Sequence, residues 1–196
     1  MGKAIMISIK PKWVAKILNG EKTIEIRKRF PKNYVGWVYI YCAKGNYMGK
    51  FGDGLYHEIT NGSRWSNGCS WNMPKIYLQG KVVARFWCNK VEEVIYDNIP
   101  FSQNYFTPSI TNPNKFLEKA SLEWYDLYKY LGENNGYAWH IDNLEIFDKP
   151  KELGEFSSKI EKTCICFNQF VAEGTQKIPL TRAPQSWCYI EVEHGN

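Results

Sequence analysis

The first forty residues alternate between short apolar runs and polar punctuation. Ala4-Ile5-Met6-Ile7-Ser8-Ile9 is brief and rich in β-branched side chains, which predicts a strand. Pro11 suits the first turn of a helix, and Trp13, Val14, Ile17 and Leu18 recur at helical spacing while Lys12 and Lys16 turn away. Asn19-Gly20 supplies a left-handed stop after about two and a half turns. Thr23-Ile24-Glu25-Ile26-Arg27 then alternates strictly. In a strand the two isoleucines share one face, and Thr23, Glu25 and Arg27 line the other at intervals of about 6.5–7 Å.

Further strands are predicted at 36–42, at 81–88 continuing irregularly to 96, at 137–141, at 144–147 and at 186–192. Residues 113–131 read as a short helical piece opened by Asn112-Pro113 and a second helix carrying Leu122, Tyr125, Leu127 and Tyr128, which Gly132 ends. Residues 43–78 and 149–183 show no sustained period and read as two irregular insertions. Helices of regular length between successive strands are missing, so a doubly wound sheet is excluded. The pattern predicts an α+β fold, a small mixed β-barrel with inserted helices, in a single domain spanning 1–196.

Composition adds a functional hint. A chain of 196 residues that is 44% hydrophobic and 23% charged can bury a core of its own. Ten Phe, thirteen Tyr and eight Trp exceed what such a core hides, so some rings are expected on a binding surface. No run approaches the roughly 20 apolar residues of a membrane span, and the first residues lack a signal-peptide pattern. A cytoplasmic protein with no membrane partner is therefore expected, its six cysteines free thiols. Charge is unevenly spread: residues 1–50 hold eleven Lys and Arg against two acids, net +9, whereas 92–161 hold six against thirteen, net −7. The basic end either meets a polyanion or a phosphate-bearing ligand, or is solvated charge balanced by neighbouring faces.

The chemistry concentrates at residues 20–29. Gly20-Glu21-Lys22-Thr23 is no phosphate-binding P-loop, because Ala15 occupies the position of the earlier glycine and a helix leads into a strand rather than the reverse. What remains is a cation at a tight turn, Lys22, followed by the row Thr23, Glu25, Arg27. Such a row either holds a small polar ligand or pairs its charges on an exposed strand face, where ion pairs are common and weak.

The run Ile9-Lys10-Pro11-Lys12, the helix to Leu18 and Gly20-Glu21-Lys22-Thr23-Ile24-Glu25-Ile26-Arg27-Lys28-Arg29 together resemble the signature of ASCH domains, PUA-like β-barrels. The resemblance covers the first 30 residues well. It implies a cleft beside the inserted helix that receives RNA or a nucleobase, with no cofactor and no obligate protein partner. Phosphate attraction, ring stacking and a carboxylate acceptor form a coherent set for that task. Under it Glu25 accepts a base N–H, Arg27 orients Glu25 or a phosphate, and Lys22 meets an anion or carbonyl oxygen. Lys10 borders the same cleft.

One branch of these proteins consists of amidohydrolases acting on N4-acetylcytidine, with a motif resembling Gly-x-Lys-Thr-x-Thr-x-Arg. Lys22 matches its base, but Glu25 replaces the second threonine, its nucleophile. Hydrolysis would need Thr23 as a substitute, or Glu25 activating water, so Lys22, Thr23 and Glu25 are the catalytic candidates of that alternative. A third class is a protein-interaction module using the acidic 92–161 region.

Other positions have two readings each. Arg64, Trp65 and Trp71 form either a stacking lid or a loop pinned to the barrel. Trp13 belongs to the core or borders the cleft. His140 is a satisfied structural histidine or a cleft acid or base. Arg182 to Trp187 leads into the last strand, where Gln185, Ser186 and Trp187 offer contacts or simply open the strand. Cys164 and Cys166 are a single tight pair, too few for a zinc site of ordinary spacing, and no metal is expected. Cys42, Cys88 and Cys188 fall within strand patterns as small apolar residues.

Overall fold

The computed structural model describes residues 2–44, 78–97, 106–166 and 169–192, with backbone alone over 160–176. Strand β1 (Gly2–Ile9) leads into helix α1 (Pro11–Leu18), β2 (Ile24–Arg27) and β3 (Gly36–Cys42). Then come β4 (Lys81–Cys88), β5 (Val91–Tyr96), β6 (Phe106–Pro108), helices α2 (Pro113–Ala120) and α3 (Trp124–Leu131), and β7 (Gly136–His140). The chain closes with β8 (Asp142–Glu152), β9 (Ser157–Cys166), β10 (Gln169–Pro179) and β11 (Trp187–Val192). Among the described residues no helix is long and apolar enough to cross a membrane.

The strands form two open sheets, a seven-stranded one in the order β10-β9-β11-β1-β3-β4-β8 and a four-stranded one in the order β2-β7-β5-β6. The α+β class holds, but the sheet does not close into a barrel. Only β1 and β3 pair in parallel, and the other described pairings are antiparallel. The apolar run of β1 is explained by burial on both faces. Ile5, Ile7 and Ile9 enter a core shared with Val14 and Ile17 of α1 and Trp139 of β7. Ala4 and Met6 enter a second core on the other face, with Tyr39 and Ile190. A third core, with Ile24, Ile26, Val94 and Ala138, lies under Phe116 of α2 and Leu127 of α3. The described residues are thus layered, with α2 and α3 over the four-stranded sheet and α1 packed in the core that joins that sheet to the seven-stranded one.

The 149–183 segment corrects the sequence reading: within it β9 and β10 pair antiparallel from Gln169↔Cys166 to Pro179↔Ser157, rather than forming an irregular insertion. Of the 43–78 segment, all but the ends lies outside the described residues, and Arg64, Trp65 and Trp71 lie there with it.

Candidate functional site

The site is assembled by the way α1 ends. Gly20 adopts φ +76°, the left-handed conformation predicted from Asn19-Gly20. Its N–H donates to Ile17 O at 2.9 Å and the Glu21 N–H to Lys16 O at 2.9 Å, the two reverse bonds of a Schellman turn. That turn redirects the chain so that Lys22 points inward at the start of β2. The C-terminal end of α2 docks on the same turn through three bonds. Lys22 Nζ donates to Ala120 O at 2.7 Å, the Thr23 N–H to Lys119 O at 2.8 Å, and Ser121 Oγ to Glu21 O at 3.0 Å. An ammonium is thereby placed at the carbonyl end of a helix, where positive charge is favoured.

Glu25 is held between two cations. Its Oε2 lies 3.5 Å from Lys22 Nζ and its Oε1 lies 3.1 Å from Arg27 Nη2. Arg27 Nη2 also donates to Ser8 O at 2.7 Å, which ties β2 to β1 across the gap between the sheets. The exposures are 2% for Lys22 and 6% for both Glu25 and Arg27, so these are buried charges and not an ion pair on a solvated strand face. Burial lowers the pKa of Lys22, with Arg27 and Lys16 reinforcing the shift and Glu25 opposing it. Among the described residues, the buried donors Arg27 Nε and Trp139 Nε1 have no hydrogen-bond partner. Trp139 is the cross-strand partner of Glu25, so its indole projects on the same face of the sheet.

Of the four side chains expected to converge, Lys22, Glu25 and Arg27 do so. Thr23 does not: it is exposed and precedes the strand, its backbone held by Lys119 O and by the Ile141 N–H. Lys10 is exposed at the N-cap of α1, about 12 Å of helix away from the end that leads to Lys22. Trp13 takes both of its readings at once, packing against the first core while its ring centroid lies 5.2 Å from Lys22 Nζ and 4.6 Å from Lys12 Nζ.

Tyr130, on α3, escaped the sequence reading. Its ring lies 5.6 Å from Lys28 Nζ, and its hydroxyl interacts with the Arg27 side chain. Desolvation raises its pKa and Glu25 adds to the rise, while Arg27 opposes it. Ser8 was likewise missed; its hydroxyl donates to Pro184 O at 2.6 Å, bringing the 182–187 segment beside β1. Trp187 packs on Trp139, with ring centroids 6.5 Å apart.

His140 is satisfied by Glu92, on the opposite face of the four-stranded sheet from Glu25. Fully buried Glu92 also accepts from the Thr111 hydroxyl, from the Thr111 N–H at 2.7 Å and from the Ile110 N–H at 3.1 Å. These bonds pin the turn before α2. Burial would raise the Glu92 pKa, but the bonds from Thr111 and His140 hold it down to about 2. Cys42 and Cys88 are buried apolar residues whose thiols burial pushes up to about 12. Elsewhere, a cavity of about 360 Å³ lined by Tyr39, Phe156, Lys151 and Lys177 opens on the far face of the seven-stranded sheet.

The architecture has a counterpart among solved structures. The crystal structure of ASCH from Zymomonas mobilis matches 96% of this chain and 87% of its own at a TM-score of 0.50 and 14% identity. This chain has the fold of an ASCH domain. Two single-substitution variants of that Zymomonas mobilis protein also align over 96% of this chain and 88% and 90% of theirs. Their TM-scores are 0.48 and 0.44, with 13% and 12% identity. No protein-family model matches the sequence, and no curated protein does. The Lys22–Glu25–Arg27 cluster lies between the two sheets and beside α1.

Proposed function

We propose that this ASCH-like protein binds RNA or a modified nucleoside at the Lys22–Glu25–Arg27 cluster. The observation that carries the reading is a carboxylate and two cations kept together at 2–6% exposure. Placing three charges where water is scarce costs several kcal/mol per ion, and such groups are commonly kept for recognition or chemistry rather than for stability. Trp13, 5.2 Å from Lys22 Nζ, and Tyr130, 5.6 Å from Lys28 Nζ, are rings available to a base near the cluster. The basic first fifty residues supply the longer-range attraction to phosphates.

The test is a thermal-shift panel of ordinary and modified nucleosides and short RNAs at two salt concentrations. Nucleosides or RNAs that raise the melting temperature of the parent protein, and fail to raise that of Lys22→Ala or Arg27→Ala, support the reading. Binding that survives both substitutions assigns the ligand to another surface and refutes it. Including N4-acetylcytidine and chromatographing the product reads the hydrolase alternative in the same panel. The lowered pKa of Lys22 suits a base, but Thr23 faces solvent and Lys22 Nζ is engaged by Ala120 O and Glu25. Binding without turnover is the expected result.

A further inference from the structure

The cavity on the far face of the seven-stranded sheet is built from residues the cluster does not use. Its volume of about 360 Å³ is near the lower end of the roughly 300–1,000 Å³ typical of small-molecule sites. Lys151 of β8 and Lys177 of β10 both line it, although these strands are the two edges of the sheet. Flat, the sheet would hold those edges six strand spacings apart, roughly 29 Å. The sheet therefore curls, and the cavity lies in its concave face. Tyr39 and Phe156 form the floor, both largely buried, with ring centroids 5.3 Å apart in an edge-on pair.

The polar groups around that floor have donors to spare. Lys177 lies directly opposite Lys159 across β9 and β10, and like charges so placed repel. Lys159 is neutralised by Glu191 Oε2 at 3.0 Å, whereas Lys177 has no ion pair among the described residues. Nor has Lys151, whose Nζ lies 5.0 Å from the centre of the Phe147 ring. Both carboxylates in the wall already carry partners, Glu191 through Lys159 and Glu155 through the Glu152 N–H that its Oε1 accepts. Tyr39 Oη accepts from Arg85 Nη1 at 3.3 Å, which leaves its own O–H to donate.

We propose that this cavity binds a small organic anion, its carboxylate or phosphate between Lys151 and Lys177 and its planar body over Tyr39 and Phe156. Two ammonium groups from opposite edges of the sheet supply the charge, and the aromatic floor supplies apolar contact. A cavity of this size admits a single ring with its anionic substituent, not a polymer. The site is separate from the Lys22–Glu25–Arg27 cluster, which lies between the two sheets, so either assignment can fail without the other.

The experiment is a titration of the full chain, followed by NMR, with benzoate, phenyl phosphate and benzamide, which share one ring and differ in the attached group. At least one of the two anions is expected to bind about tenfold tighter than benzamide, the gain that charge-assisted hydrogen bonds provide. Raising salt from ~0.05 to ~0.3 M should narrow that ratio, because both lysines are exposed. Lys177→Gln removes one cation and its repulsion with Lys159, so it should melt no lower than the parent and cut the ratio to about twofold. Lys115→Gln makes the same charge change at an exposed position of α2, over the other sheet, and should leave the ratio intact. A preference for benzoate alone or for phenyl phosphate alone supports the proposal and identifies the anionic group. Benzamide binding as tightly as both anions, a preference that survives Lys177→Gln, an equal loss in Lys115→Gln, or no binding by any of the three overturns it.

Discussion

Glu25→Gln tests whether the triad is a buried electrostatic unit. The amide nearly matches the carboxylate in shape, so packing is kept and the perturbation is the lost charge. That charge lies 3.5 Å from Lys22 Nζ and 3.1 Å from Arg27 Nη2. At an effective dielectric of ~20 each contact carries roughly 5 kcal/mol of gross attraction, most of it offset by desolvation. Removing one partner of a buried pair costs about 3–5 kcal/mol, which for a chain of this length lowers Tm by about 6–20 °C. The loss has a pH signature. The native pKa of Lys22 is below its ordinary 10.5, so over that window the folded state binds fewer protons than the unfolded one and stability rises with pH. Without Glu25 the depression deepens, so Lys22 gives up its proton at lower pH and the deficit of the variant shrinks as pH rises. Chemical denaturation of parent and variant between about pH 6 and 10 measures this, a range set by the Lys reference value. A Tm within ~2 °C of the parent at neutral pH, the behaviour of exposed ion pairs, refutes the buried triad.

Gly20→Ala is expected to cost about 1 kcal/mol through backbone strain alone, since Gly20 sits at φ +76° and a Cβ there meets nothing within 4 Å. An unchanged denaturation midpoint contradicts the Schellman geometry. Glu92 contributes stability that is complete above its unfolded pKa of about 4.5 and is lost as pH falls toward about 2. Glu92→Gln should therefore flatten the acid limb of the stability profile, as read by urea melts at descending pH, and parallel profiles argue against the pinning role. Leu127→Ala, fully buried beneath the helices, should cost about 2–5 kcal/mol in the same melts, and a change under about 0.5 kcal/mol contradicts the packing of α3 on the four-stranded sheet.

The parts of the site visible in the sequence are those whose signal is local. The Asn19-Gly20 stop and the strict alternation of Ile24 to Arg27 place Glu25 and Arg27 together without any knowledge of the rest of the chain. Thr23 was misplaced because the alternation was extended one step too far, into residues whose backbone is spent on Lys119 and Ile141 before the strand begins. Trp139, Ser8 and Tyr130 come from elements distant in sequence, and period-2 or period-3.6 patterns carry no information about which remote strand lies opposite. The β9–β10 ribbon was missed for a related reason: its sequence is punctuated by Lys, Glu, Thr and Gly174, so the hydrophobic alternation that marks a half-buried strand is weak. The mixed-barrel expectation failed only in closure, which depends on pairings between strand edges that no single segment specifies.

The bond from Lys22 to Ala120 O spans 98 positions of sequence. The motif that makes this chain recognisable is therefore not a self-sufficient module. A fragment ending at residue 97 would retain every letter of it and lack the Ala120 carbonyl and the helix end that hold Lys22 in place. During folding the triad must wait for a long loop to close, at an entropic cost that grows only slowly with loop length. Grafting residues 9–29 onto a foreign scaffold would accordingly transfer the signature without the contacts that hold the triad.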